Sequence, residues 1–124
     1  MSQKRILIVD DEPEVTMMVR MRLEASGYEV ISANDGKSGL EKAKQENPDL
    51  VMLDVMMPKM DGYKVCGLLK ADIRYNKIPV IMFTARAPEE EAEIMREVGA
   101  DAYVNKPLNA EELLAKIKDL LGEG

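Results

Sequence analysis

Five short apolar runs alternate along the chain with longer stretches in which apolar residues recur every three or four positions. The runs have the length and composition of β-strands and lie at residues 6–9, 29–33, 50–53, 79–83 and 101–104. The stretches between them have the periodicity of helices and lie at residues 13–26, 36–46, 63–71, 88–98 and from 109 onward. The pattern therefore predicts five strands and five helices in strict alternation, (βα)5.

The first and last helices have the clearest end signals. Pro13 suits a first helical turn, and Gly27 suits the position just after a last one. Apolar residues on one face of this first helix are Val15, Met18, Val19 and Leu23. The last helix begins at Asn109, a residue type that caps helix N-termini. Methionines at helical spacing, such as Met18 and Met95, are expected to fill the core.

Strict alternation of strands and helices predicts a parallel sheet with helices on both faces, because each strand returns through a right-handed crossover. The runs at 6–9 and 50–53 are continuously apolar, as central strands buried on both faces are. The predicted fold is a doubly wound three-layer α/β sandwich with strand order 2-1-3-4-5, as one domain over residues 1–124. In such sheets the ligand lies outside the carboxyl ends of the strands, between strands one and three.

Composition excludes several kinds of chemistry. The 124 residues include no His and one Cys, so His-dependent nucleophile pairs, His-containing zinc sites and an intrachain disulfide are excluded. With 46% hydrophobic and 32% charged residues, the chain has the composition of a folded globule. Any chemistry must use carboxylates, Lys, hydroxyl groups or a metal bound by oxygen.

Charge and the N-terminus limit the partners. The formal net charge is −6, which disfavours direct binding to nucleic acid or to anionic lipid. The first apolar run has four residues, which is too short for a signal peptide or a membrane span. We therefore expect a cytoplasmic protein that contacts neither nucleic acid nor membrane directly.

Carboxylates follow both central strands. Asp10, Asp11 and Glu12 come after strand one, and Asp54 comes after strand three. Carboxylates this close raise each other's pKa unless a cation neutralises them, and an all-oxygen site favours a hard ion. We expect Mg²⁺, with Mn²⁺ as a possible substitute. The alternative interpretation is that these acids are solvated strand-end residues, since Asp is common in such turns.

Two further polar residues are predicted at the same edge of the sheet. Thr84 ends strand four, and Lys106 follows strand five. Acids, a hydroxyl group and an ammonium group around a cation form a site for a phosphoryl group, with Asp54 as the candidate nucleophile. Taken singly, Thr84 could be a strand-end cap and Lys106 a surface charge.

Ordered motifs around these residues resemble the receiver domain of response regulators, the CheY-like phosphoacceptor module of two-component signalling, over essentially the whole chain. The matching segments are Ile6-Leu-Ile-Val-Asp-Asp-Glu-Pro13, Ala33-Asn-Asp-Gly36, Pro48-Asp-Leu-Val-Met-Leu-Asp54, Met57-Pro-Lys-Met-Asp-Gly62, Pro79-Val-Ile-Met-Phe-Thr-Ala85, Gly99-Ala-Asp-Ala-Tyr103 and Lys106-Pro107. The resemblance implies a flavodoxin-like fold of the CheY type.

The resemblance also implies roles for the acids. Asp54 would accept a phosphoryl group from a phosphohistidine on a sensor histidine kinase or a histidine phosphotransfer protein. Asp11 and Asp54 would bind Mg²⁺ directly, together with the backbone carbonyl of Met56. Asp10 would act mainly through metal-bound water.

A switch is implied as well. Thr84 and Lys106 would each bind a phosphoryl oxygen, and the Lys106–Pro107 peptide would be cis. Thr84 would move on phosphorylation, and Tyr103 would rotate inward, which remodels the face of helix four, strand five and helix five. Without the resemblance, Tyr103 would be interpreted equally well as a half-buried aromatic of an edge strand.

The implied function is a signalling switch rather than an enzyme, with self-catalysed phosphoryl transfer to Asp54 and slow autodephosphorylation. Met56 and Arg86 occupy positions that vary among receivers and flank the path of attacking water. Expected partners are a downstream protein or output domain and, in a phosphorylation-dependent dimer, a second copy. The alternative functions are a flavodoxin-type cofactor carrier, a haloacid-dehalogenase-like phosphatase and a receiver-like docking module that is not phosphorylated. The first would need a loop rich in Ser, Thr and Gly after strand one, and the second would need Asp-x-Asp there, whereas this chain has Asp-Asp-Glu-Pro.

Overall fold

A computed structural model describes residues 3–85 and 88–123. The strands in this part of the chain are β1 (Arg5–Val9), β2 (Glu29–Ala33), β3 (Leu50–Leu53), β4 (Val80–Thr84) and β5 (Ala102–Asn105). The helices are α1 (Pro13–Ala25), α2 (Gly36–Glu46), α3 (Gly62–Ala71), α4 (Pro88–Val98) and α5 (Ala110–Leu120). The predicted alternation of strands and helices is confirmed.

The five strands form one parallel sheet in the order β2-β1-β3-β4-β5, as predicted. In the centre, Val9 of β1 lies opposite Leu53 of β3, so both strands end at the same level of the sheet. The residues that follow them, Asp10 and Asp54, therefore emerge side by side. This is the edge at which doubly wound sheets bind ligands.

Apolar side chains cover both faces of the sheet. One buried cluster lies between the sheet and the pair α1 and α5, and includes Ile8, Leu23 and Ile117. The other lies under α2, α3 and α4, and includes Leu53 and Val65. Burial on both faces explains why the central strands are continuously apolar rather than alternating.

Two strands start one residue later than predicted. β4 starts at Val80 rather than at Pro79, because proline has no amide hydrogen to donate to the sheet. The amide of Val80 is bound by a side chain, since Asp101 Oδ2 accepts from Val80 N at 2.8 Å. β5 correspondingly starts at Ala102, after this capping aspartate.

One predicted core residue is not in the core. Met18 is 53% exposed, whereas Met95 is buried as predicted. The buried residues of α1 are Val19 and Leu23, which lie four residues apart and face the sheet. Met18 precedes Val19 by one residue and is rotated by about 100° from it around the helix, so it faces away from the sheet.

Cations cover the free edge of β2. The pairing register of β1 and β2 turns the backbone groups of Val30 and Ser32 away from β1. Arg20 Nη1 donates to Val30 O at 3.0 Å, and Lys42 Nζ donates to Ser32 O at 3.1 Å. Side chains of α1 and α2 thus occupy the edge carbonyls.

Among residues 3–85 and 88–123, no helix is long and apolar enough to cross a membrane.

Candidate functional site

Four carboxylates meet where β1 and β3 end. One oxygen from each of Asp10, Asp11, Glu12 and Asp54 lies within 4.8 Å of the others. Backbone hydrogen bonds fix two of them, since Asp10 N donates to Ala33 O at 3.2 Å and Asp54 N donates to Val9 O at 2.9 Å. Asp10 and Asp54 are buried, whereas Asp11 and Glu12 are exposed. The cluster is therefore a half-open acidic pocket.

Lys106 reaches into this cluster from the loop between β5 and α5. Its Nζ lies 3.0 Å from Asp10 Oδ2, 3.1 Å from Glu12 Oε1 and 3.5 Å from Asp54 Oδ2. The side chain is 14% exposed, and the Lys106–Pro107 peptide is cis. Lys106 thus bridges the ends of three strands.

The charges in this cluster are not balanced. The positive charge of Lys106 opposes four carboxylates, so three negative charges remain if all are ionised. Burial and the neighbouring Asp10 raise the pKa of Asp54 to about 6, although Lys106 acts in the opposite direction. Burial alone would lower the pKa of Lys106, but its bonds to Asp10 and Glu12 raise it overall. A further cation would stabilise this arrangement.

Thr84 ends β4 at the same edge of the sheet. It is 1% exposed and is paired in register with Asn105 of β5. Its carbonyl accepts from Lys106 N at 2.8 Å and from Asn105 Nδ2 at 3.3 Å. Thr84 and Lys106 are therefore linked by a backbone hydrogen bond. The sequence predicted only that the two residues lie at the same edge of the sheet.

The backbone behind Asp54 is packed against the start of α3. A Cβ atom on Gly62 would lie 2.1 Å from Asp54 O, and Gly62 N donates to Val55 O at 3.0 Å. Met56 is 59% exposed, and its amide lies 3.4 Å from Asp54 Oδ1. The main chain of Asp54, the candidate phosphoacceptor, therefore cannot shift toward α3. Met56, the predicted metal ligand, lies two residues after it.

Tyr103 lies on the edge strand β5 and is partly buried. Its hydroxyl donates to Asn105 Oδ1 at 3.2 Å, and its carbonyl accepts from Lys116 Nζ at 2.9 Å. A cavity of about 210 Å³ opens beside the ring toward α4, lined in part by Met95 and Ala100. The Tyr103 ring therefore borders this cavity.

Sequence reasoning missed some of these contacts. Glu12 was not among the predicted ligands, although its place directly after Asp11 was a signal for it. Asn105, which touches both Thr84 and Tyr103, had no signal in the sequence. Arg86 lies outside the described residues.

Comparison with known proteins decides the family. Residues 6–118 match the family model described as the response regulator receiver domain. The chain belongs to this family. It is 44% identical over 120 residues to the alkaline phosphatase synthesis transcriptional regulatory protein PhoP of Bacillus subtilis (strain 168), a match that covers 95% of the chain and 48% of PhoP. The chain thus spans about half the length of this relative.

Solved structures agree with this assignment. A putative response regulator from Chloroflexus aurantiacus J-10-fl superimposes with a TM-score of 0.93 at 31% identity, covering 98% of this chain and 99% of that one. The receiver domain of a sensor histidine kinase from Pseudomonas aeruginosa PAO1, with a magnesium ion coordinated in its active site cleft, superimposes with a TM-score of 0.89 at 26% identity. That match covers 98% of this chain and 99% of the other. The chain is therefore a receiver of the two-component type, and receivers of response regulators pair with histidine kinases and output domains.

Proposed function

We propose that this receiver accepts a phosphoryl group on Asp54 from a phosphohistidine of a sensor histidine kinase or a histidine phosphotransfer protein. The observation that supports the proposal is the cluster of four carboxylates within 4.8 Å, with Lys106 Nζ 3.0 Å from Asp10 and 3.5 Å from Asp54. A buried carboxylate beside an ammonium group at the end of β3 has the environment of a nucleophile.

The donor set fits Mg²⁺. All four side chains offer oxygen, burial and the neighbouring Asp10 raise the pKa of Asp54, and the site is half open to water. In this proposal Asp11, Asp54 and the carbonyl of Met56 would hold the ion, Asp10 would act through metal-bound water, and Mn²⁺ would be a substitute. Such an ion neutralises charge on the phosphoryl oxygens.

The transfer uses this chain's own groups as follows. A carboxylate oxygen of Asp54 attacks phosphorus while the phosphorus–nitrogen bond of the donor breaks, and the imidazole leaves with the electron pair of that bond. Lys106, whose Nζ is already within 3.5 Å of Asp54, turns to a phosphoryl oxygen. The Thr84 hydroxyl donates to another oxygen. Asp54 becomes a mixed anhydride, and about one negative charge is added to the site.

The switch follows from that added charge. When Thr84 moves toward the phosphoryl group, it shifts the hydrogen bonds that its carbonyl accepts from Lys106 N and Asn105 Nδ2. Tyr103 then leaves its bond to Asn105 and rotates inward, into the space that Thr84 vacates. This rearrangement changes the face formed by α4, β5 and α5, which a partner or an output domain binds.

In this proposal the chain is a cytoplasmic signalling switch that is not an enzyme, and its output is a downstream protein, an output domain or a dimer formed on phosphorylation. The PhoP relative is a transcriptional regulatory protein, so DNA binding in a longer protein would belong to another domain. The acidic receiver itself, with a net charge of −6, does not favour contact with DNA.

Intact-protein mass after incubation with acetyl phosphate tests the proposal. We expect one phosphoryl adduct on the wild type in Mg²⁺ and none in EDTA. Asp54→Asn should give no adduct, whereas Asp119→Asn, which changes an exposed acid of α5, should behave as the wild type does. An adduct that persists in Asp54→Asn would contradict the proposal. So would a folded wild type that forms neither the adduct nor a beryllofluoride complex, and that result would favour a docking module.

A further inference from the structure

The loop between β3 and α3, residues 54–61, contains a strained turn. Met60 N donates to Pro58 O at 2.8 Å, and Lys59 between them has φ 70°. This is a γ-turn with a positive φ at its centre, a rare conformation that costs free energy in any residue with a side chain. The surrounding structure must therefore hold the loop in this shape.

The N-terminus of α2 presses directly on the turn. A Cβ atom on Gly36 would lie 1.8 Å from Met60 O and 2.6 Å from Met60 C. Both partners are backbone atoms, so no side-chain rotation could relieve the overlap. Only glycine allows α2 to start this close to the loop.

An ion pair joins the same two segments. Asp35 Oδ2 lies 3.6 Å from Lys59 Nζ, while Asp35 Oδ1 accepts from Ser38 N at 2.8 Å and caps α2. The bond from Ser38 and the charge of Lys59 lower the pKa of Asp35, so this carboxylate is ionised. Asp35, Gly36, Lys59 and Met60 together form what we name the loop clamp.

The near end of the loop is fixed independently. Gly62 leaves no room between α3 and Asp54 O, and Gly62 N is bonded to Val55 O. Met56 lies between this fixed end and the loop clamp. The Met56 side chain is 59% exposed and its amide lies 3.4 Å from Asp54 Oδ1, so the fixed points on either side add to what holds its backbone.

We infer that the loop clamp is a positioning element for the metal site: contact between the start of α2 and the γ-turn at Lys59 holds the Met56 carbonyl in place as a ligand. The inference rests on the magnesium site proposed above and deepens it. It assigns a role in metal affinity to Gly36 and Lys59, neither of which offers a ligand atom to the carboxylate cluster.

Magnesium affinity of folded variants, measured by isothermal titration calorimetry, tests the inference. Gly36→Ala should weaken binding about tenfold or more, in the range found for groups that support metal ligands. The matched control is Gly67→Ala in α3, where the nearest atom to a Cβ among the described residues would be Val98 Cγ1, at 3.9 Å. We expect Gly67→Ala to bind Mg²⁺ as the wild type does.

Lys59→Met separates positioning from simple electrostatics and serves even if Gly36→Ala fails to fold. Loss of a positive charge from a chain of net charge −6 should by itself favour cation binding. Loss of the loop clamp should instead weaken binding, by about two- to threefold for an exposed ion pair. Lys64→Met, which removes an exposed charge from α3, is the control for the charge effect alone.

Weaker binding in Lys59→Met, with unchanged or tighter binding in Lys64→Met, supports the inference. Binding in Lys59→Met as tight as in Lys64→Met overturns it. If the folded wild type binds no Mg²⁺, the proposed metal site fails and the inference fails with it. If the wild type binds Mg²⁺ and Gly36→Ala binds it with equal affinity, the inference is overturned and the proposed function still stands.

Discussion

Asp54 should destabilise the folded receiver when no cation is present, and Asp54→Asn should therefore stabilise it. The Asp54 carboxylate is 5% exposed and lies within 4.8 Å of three other acids. Asparagine has nearly the same shape but carries no charge. In EDTA at pH 7.5 we expect the free energy of unfolding to rise in this variant.

The size of the effect follows from the pKa of Asp54, which is raised from 3.8 to about 6. At about 1.4 kcal/mol per pH unit the difference corresponds to about 3 kcal/mol, and solvent at the open edge of the site reduces it to about 1–2 kcal/mol. Because the raised pKa belongs to an acid, the folded state binds the proton more tightly than the unfolded state. The loss of folding stability caused by ionised Asp54 is therefore absent below pH 3.8, grows up to about pH 6 and is constant above that pH.

Urea unfolding followed by circular dichroism measures the effect, since the chain has no Trp. Asp54→Asn should unfold at a urea concentration higher by about 0.5–1 M at pH 7.5, and this advantage should shrink toward pH 4.5. Asp119→Asn should change the midpoint little at either pH, because its carboxylate is exposed. Equal midpoints for Asp54→Asn and the wild type at pH 7.5 in EDTA would refute the reasoning.

Three further outcomes are expected. Lys106→Met should lower the free energy of unfolding in EDTA by about 1–3 kcal/mol, because it leaves Asp10 and Asp54 without the buried ammonium group, and a stability equal to that of the wild type in urea would contradict this. Cys66 should resist iodoacetamide at pH 8 until urea is added, since its side chain is fully buried and burial raises its thiol pKa to about 11; alkylation of the native protein at the rate of a free thiol would show otherwise. Tyr28→Phe should cost about 1 kcal/mol in the same urea titration, because the Tyr28 hydroxyl donates to Glu123 at 2.6 Å, and an unchanged midpoint would show that this bond adds nothing.

Most of the fold could be predicted from the sequence because its signals are local. Buried parallel strands appear as continuous apolar runs, and Pro13 and Gly27 mark helix ends wherever the helix packs. Met18 shows the limit of this approach: periodicity places a residue on a helix, but the width of the buried stripe depends on the neighbours that pack against it.

The candidate site was predictable as a set of residues rather than as an arrangement. The strand ends place Asp10 and Asp54 together in any sheet of this order. That Lys106 Nζ would lie within 3.5 Å of three acids depends on side-chain conformations. Gly36 and Met60 are distant in sequence, and no local pattern predicts their contact.

The cations over the edge of β2 have a consequence for how the receiver behaves in a crowded solution. An exposed strand edge is a template on which an extended segment of another chain can hydrogen-bond, and such pairing starts aggregation. Arg20 and Lys42 already hold the outward carbonyls of Val30 and Ser32, so an incoming strand would have to displace two charged groups. Side chains from α1 and α2 thus protect the edge of β2 against pairing with another chain, which keeps the receiver soluble at high concentration.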